Sequence, residues 1–366
     1  MMTTQPSDRK NPLFAQARDW LSGNAPLLTL LLLAPIIVDV LPGSTRLSAL
    51  AGLIPEIVTY GFAAILIRWL VRSQRLSIVA LILLGIAYAL AEECVFLQTS
   101  LTPTFVLSEN HVYGRTFGIS WLYLLWALGY ECVWAMLIPI QLVDLLFPTR
   151  RDDPWFGKRG FLILCVLFVL GASLAWYYWT QRILVIFTHG ASPQPSLLTI
   201  LAAFLMVAVI VGISLRFKRI SRSQERKIPA PWFVGILAFL LGLIWYIPLF
   251  LYYGLAPNLP FLIPLVSGSI LAVLVFFVFY YWSASLAWCS RHSLACITGA
   301  LIASMLEGFI TLPTASTLDI TGKIVLDLLA LVGLFLLARK YPSARQQRQS
   351  MSSSDDSLPE NEPAHN

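Results

Sequence analysis

Long apolar stretches divided by short polar ones set the plan of this chain. About ten runs are almost free of charge: roughly residues 25–42, 49–69, 76–97, 117–146, 160–180, 196–215, 231–253, 259–282, 293–312 and 320–338. Apolar runs of roughly 17–25 residues cross a hydrocarbon core of about 30 Å as helices. The fourth is long enough to tilt or to continue into the interface. The pattern predicts an all-α polytopic membrane bundle of about ten transmembrane helices.

Lys and Arg placement orients it. With the N-terminus cytoplasmic, the inner segments carry Arg9, Lys10 and Arg18; Arg68, Arg72 and Arg75; Arg150, Arg151, Lys158 and Arg159; the basic stretch from Arg216 to Lys227; Arg291; and Arg339, Lys340, Arg345 and Arg348. The outer side carries only Arg46, Arg115, Arg182 and Lys323. This alternation predicts both termini inside. Trp176 to Trp179, Tyr252 with Tyr253, and Tyr280 to Trp282 close their runs as interfacial aromatic belts.

Three segments follow: a cytoplasmic N-terminal stretch (1–24), the bundle (25–340) and a Ser-, Asp- and Pro-rich tail (341–366) with too little apolar content to fold. Residues 12–21 are expected to form a short interfacial helix. The polar stretch before the first run is long for a signal peptide, so that run is read as a retained membrane helix. Ten helices would allow two inverted sets of five, but the acidic residues do not follow that symmetry.

Composition agrees with the pattern. The 366 residues are 58% apolar and 12% charged, unlike a soluble domain. The formal net charge of +6 lies between apolar runs rather than on one face, so no nucleic-acid partner is implied. Cys94, Cys132, Cys165, Cys289 and Cys296 lie in or beside apolar runs without ligand spacing and read as small buried apolar residues. No cofactor fingerprint and no metal-ligand set is present.

Chemistry enters through seven acids inside the runs: Asp39, Glu56, Glu92, Glu93, Glu131, Glu307 and Asp327. A carboxylate at the centre of a membrane helix costs roughly 2.5–3.5 kcal/mol on insertion scales, and such residues mark functional sites by default. The topology collects all seven in the outer half of the membrane and leaves Asp144 at the inner interface. Glu56 shares a stripe with Gly52, Thr59 and Tyr60, Glu92 with Gly85 and Tyr88, Glu131 with Ala127 and Ala135, and Glu307 with Ala303 and Ser304. Small and hydroxyl residues mark helix contacts, so these carboxylates are expected to face the bundle. Glu92 and Glu93 are about 100° apart, and Glu92 is the one favoured to face a shared centre. Lys323 is one turn from Asp327 and can pair with it. Arg115, Arg182, His111 and His189 are the outer cations able to reach inward. Pro35 and Pro55 lie close to Asp39 and Glu56, where they can kink or break a helix.

The adjacent Glu92 and Glu93 resemble the start of the EExxxR motif of the CAAX-protease-like family. Leu97 stands where that motif has arginine, and no histidine lies in an outer-half run. The stretches Gly85 to Phe105 and Trp126 to Pro148 resemble segments of multi-pass bacterial membrane proteins of unknown function. Three readings of the acids stand: a transporter-like protein with an acidic cavity in the outer half of the membrane, a structural or accessory membrane protein, and an intramembrane enzyme using carboxylates. The first leads, with a proton, a cation or a small molecule as ligand and the lipid bilayer of a bacterial plasma membrane as surroundings. Glu92, Glu131, Glu56 and Glu307 form its expected core, and Glu93, Asp39 and Asp327 come second.

Overall fold

The computed structural model describes residues 12–102, 113–183, 185, 195–219, 224–256, 258–310 and 316–341, with side chains from Trp20 onward. Among these are ten helices long and apolar enough to cross a membrane. They are α1 (Trp20–Val40), α2 (Leu47–Ser73), α3 (Ile78–Phe96), α4 (Trp121–Leu146), α5 (Lys158–Ile183), α6 (Leu197–Ser214), α7 (Pro231–Tyr252), α8 (Leu262–Ser283), α9 (Ser290–Ile310) and α10 (Thr317–Lys340). The chain is a multi-pass, all-α membrane protein.

Local sequence explains many of the helix ends. Ser77, Ser196 and Ser316 lie just ahead of α3, α6 and α10, and each side chain accepts a backbone N–H of the first turn. Pro231 opens α7, where its missing N–H is not needed. Two boundaries differ from expectation. Residues 12–21 are continuous with the first span in one helix that starts at Pro12, rather than forming a separate interfacial helix. Ahead of α4, where the apolar run starts at 117, β1 (Arg115–Thr116) pairs antiparallel with β2 (Ile119–Ser120). Gly114, Phe117 and Gly118 all have positive φ there and turn the chain. His111 and His189 and the tail from 342 lie outside the described residues.

Burial sorts the helices. The apolar windows of α3, α4 and α9 are 61, 56 and 56% buried, whereas those of α5, α6 and α8 are 11, 11 and 6%. The first three therefore form the centre of the bundle, and the last three turn most of their surface to lipid. Association in lipid depends on close packing rather than on expulsion of water, and the contact of α7 with α9 is the most extensive among the described residues. It rests on glycine. A Cβ at Gly299 would lie 2.1 Å from the Gly235 carbonyl oxygen and 2.9 Å from the Phe239 nitrogen. Gly299→Ala must therefore push two backbones apart, at a cost of about 1–3 kcal/mol. We expect its thermal midpoint in mild detergent to fall by several degrees. Gly212→Ala, where nothing lies within 4 Å, should not move it. Equal midpoints would remove glycine packing from the account of this contact.

On the face that the Lys and Arg count reads as inner, short loops bind to one another. Ser77 N donates to Phe217 O (2.9 Å) and Arg219 N to Arg75 O (2.8 Å). Arg219 also donates to Asp152 at 2.6 Å, and this hydrogen bond holds the Asp152 carboxyl below the usual carboxylate range.

Candidate functional site

Four of the first four spans depart from α geometry, and each does so beside an acid. Wide π turns occur at Ile36–Val40 in α1, Ile57–Gly61 in α2, Glu92–Phe96 in α3 and Glu131–Leu137 in α4. Asp39 lies in the first and Glu56 immediately precedes the second. Glu92 and Glu93 open the third, and Glu131 opens the fourth. A fifth turn, Trp179–Ile183 in α5, holds no acid. The π turn is rare and occurs mainly as single insertions at functional sites. Its i→i+5 bonds are explicit: Leu41 N donates to Ile36 O (2.9 Å) and Leu97 N to Glu92 O (2.8 Å). Proline flanks three of the four, as Pro35, Pro55 and Pro139. A proline removes a donor from the α ladder, which favours a local change in its register.

The centre of the site is the meeting of Glu92 and Glu131. The Glu92 carboxylate faces the Tyr60 and Tyr88 side chains and the Glu131 carboxylate. Despite this proximity, both oxygens of Glu92, Oε2 of Glu131 and the Tyr88 hydroxyl lie outside hydrogen-bond geometry with any described group. Glu92 is 1% exposed and Glu131 6%. No ion pair reaches either carboxylate among the described residues. A buried polar group without a partner is costly, and three carboxylate oxygens of this kind meet here among the described residues.

Two more acids extend the centre outward. Asp39, half-buried, lies within electrostatic range of Glu56 and Glu92. Glu56 is half-buried at the outer end of α2, where the Thr45 hydroxyl donates to its Oε1. Beside Thr45 is a recess of about 10 Å³ lined also by Val40, Arg46, Asp319 and Lys323, about the space of one water. The acids thus run from the outer edge at Glu56, through Asp39, to the Glu92–Glu131 pair.

The remaining candidates lie elsewhere. Glu93 points away from Glu92 and is fully engaged: it accepts from the Thr99 hydroxyl, the Ser100 hydroxyl (2.7 Å) and Ser100 N (3.1 Å). It holds the short turn Thr99–Leu101, which follows Gln98 at φ 58°. Glu307 lies within electrostatic range of Lys323, and aromatics stand between it and the centre. Tyr246 lies between it and Glu131, and the Tyr246 ring is 6.0 Å from that of Tyr130. The Tyr130 hydroxyl donates to Val38 O (2.6 Å). Asp327 is paired with Lys323 at 2.9 Å, as the spacing predicts. Arg115 does not reach the acids; it donates to Ser120 Oγ (3.1 Å) and Leu101 O (2.8 Å). Arg182 is exposed.

Sequence reasoning missed three groups. Asp144, at the inner end of α4, is buried rather than solvated: it is 3% exposed and bridges Arg68 and Arg72. Arg68, counted above only as an inner charge, is 1% exposed and also donates to the carbonyls of Arg150, Arg151 and Asp153. This lock closes the inner end of α2 and α4, thirteen residues or about 20 Å along α4 from Glu131. Asp319 accepts from Ser48 N (2.9 Å) and Ser48 Oγ (3.1 Å), tying α10 to α2. The Ser316-x-x-Asp319 spacing resembles a capping box and was a readable signal. The tyrosines of the centre were visible as stripe neighbours of Glu56 and Glu92, but nothing in one sequence assigns them to a shared site.

No three His, Cys, Asp or Glu side chains among the described residues are placed to hold a metal ion. Cys132 instead packs its Sγ against Gly85, where a Cβ would be 2.9 Å away. No family model matches the chain, and neither a curated protein nor a solved structure is detectably similar to it.

Proposed function

We propose that this protein is a transporter-like membrane protein in which the Glu92–Glu131 pair takes up and releases a proton or small cation that arrives past Glu56 and Asp39. One observation carries the reading: two adjacent carboxylates, buried at the centre of the bundle, meet no cation among the described residues, and the Glu92 carboxyl faces the Tyr60 and Tyr88 hydroxyls and the Glu131 carboxyl instead. Intramembrane carboxylates of this kind mark proton and ion pathways. The π turns and flanking prolines supply places where α1 to α4 can bend, which a closed site needs in order to open. The Arg68–Asp144–Arg72 lock serves as the inner seal. In this reading the N-terminus is cytoplasmic, the membrane is a bacterial plasma membrane, and the tail and N-terminal segment lie inside.

The test is purified protein in liposomes with a trapped pH dye, exposed to a panel of cationic, zwitterionic and neutral solutes under an imposed pH gradient. We expect at least one solute class to move protons in a protein-dependent way. Glu131→Gln and Glu92→Gln should each reduce that movement at least tenfold while leaving a monodisperse, folded protein. A panel in which wild-type protein moves neither protons nor small cations beyond empty liposomes overturns the reading. So does full activity in the double Gln variant. Loss of folding in both single variants with no wild-type flux would favour the structural or accessory reading.

A further inference from the structure

A second site lies at the opposite end of the bundle. Between α7, α9 and α10 a groove of about 720 Å³ opens sideways toward the bilayer. Its inner end is lined by Arg291, at the start of α9, and Arg339, in the last turn of α10. The rest is apolar or small: Gly235, Phe239, Ala295, Ile302 and Phe335 among them. Trp232 stands at the mouth and is 67% exposed, an interfacial anchor by position.

The two arginines are placed but not neutralised. Arg291 is half-buried, and its Nε donates to Tyr341 O at 2.7 Å. The Arg339 guanidinium lies 4.5 Å from the centre of the Phe335 ring. Neither forms an ion pair among the described residues. The contrast with the other end of α10 is informative. There Lys323 pairs with Asp327 on the same helix and fastens that helix to the end of α1, whereas at the inner end Phe335, Ala338 and Arg339 line open space. A lateral apolar groove in a membrane does not stay empty, and its charged end selects the occupant. Guanidinium groups recognise phosphate through paired, directed N–H donors.

We propose that this groove binds one anionic phospholipid of the cytoplasmic leaflet, with an acyl chain along α7 and α9 and its phosphate between Arg291 and Arg339. The site is independent of the carboxylate centre, and its failure would leave the transport reading untouched. Basic pockets between membrane helices on the cytoplasmic side suit anionic headgroups.

The experiment uses the full chain in mild detergent, with phosphatidylglycerol and phosphatidylcholine of identical acyl chains as probes. Native mass spectrometry reads retained lipid, and thermal midpoint reads the effect on the fold. Wild-type protein should retain phosphatidylglycerol at least tenfold better than phosphatidylcholine and gain several degrees from it. Arg291→Gln with Arg339→Gln should abolish that preference, whereas Arg291→Lys with Arg339→Lys should keep part of it. Thr298→Phe, which fills the groove wall, should lower retention of both lipids. Equal retention of the two lipids by wild-type protein overturns the proposal. Protection by inorganic phosphate alone equal to that by lipid would make it a headgroup site without a chain and would also overturn it. So would a change of oligomeric state in the Gln variant with lipid retention intact, which would assign the groove to a second protein chain.

Discussion

Asp144→Leu is expected to cost about 3–5 kcal/mol and to remove most folded protein from a detergent extract. Asp144 is the only carboxylate described as meeting both Arg68 and Arg72. Its Oδ1 accepts from Arg68 Nε (3.1 Å) and Nη2 (2.9 Å), and its Oδ2 accepts from Arg72. Arg68 cannot turn to water to compensate, because it is 1% exposed. Its guanidinium is also clamped 3.5 Å from the Trp155 ring centre. Removing the acid leaves two cations at the inner end of α2, one of them fully desolvated, and an uncompensated buried charge is the expensive case. Asp144→Asn tests charge apart from shape. It keeps an acceptor but loses the ion pairs, and most of the destabilisation should remain. Arg68→Leu together with Asp144→Leu should recover little, because the carbonyls of Arg150, Arg151 and Asp153 would still lose their donor. The check is the yield of monodisperse protein and its thermal midpoint. A wild-type midpoint for both Asp144 variants would refute the lock.

The same lock shows where sequence reading reaches its limit. Counting Lys and Arg between apolar runs places Arg68 and Arg72 on the inner side, because the count depends only on alternation along the chain. It cannot tell a solvated arginine from a buried one. That depends on Asp144, 76 residues away from Arg68. The ten spans were legible because hydropathy over about twenty residues is a local property. The inward aim of Glu92 and Glu131 was legible too, since helical spacing put them on stripes of small residues. Glu93 was separable from Glu92 by the 100° step between successive residues. The π turns were not legible. They shift the register inside a continuous apolar run, and their outward signs, the prolines at 35, 55 and 139, are equally compatible with simple kinks. Nor was the unequal standing of the acids. Asp327 and Glu93 have bonded partners, whereas neither oxygen of Glu92 is in hydrogen-bond geometry with a described group, and only tertiary packing decides between these states.

Lys323→Met is expected to be the second most damaging change, again about 3–5 kcal/mol, for a different reason. Lys323 is 4% exposed and joins three helices near their outer ends. It pairs with Asp327 on its own helix, donates to Leu41 O at the end of α1, and lies 4.7 Å from the centre of the Phe309 ring on α9. Without it, Asp327 loses its cation while Oδ1 already lacks a partner. The Lys323 stem packs against Gly308, where a Cβ would lie 2.9 Å from its Cε. Removing both charges as Lys323→Met with Asp327→Leu eliminates the orphaned carboxylate, and the thermal midpoint should return most of the way. Under the proposed transport function, proton movement should not return with it. The tie to Leu41 fixes the end of α1 just beyond the π turn that carries Asp39. In the double variant that turn is free to shift relative to Glu56 and Glu92. The expected result is therefore a stable protein with proton movement in liposomes reduced several-fold. Full activity in the stable double variant would show that Lys323 holds the fold alone and that the position of Asp39 does not depend on the tie between α1 and α10.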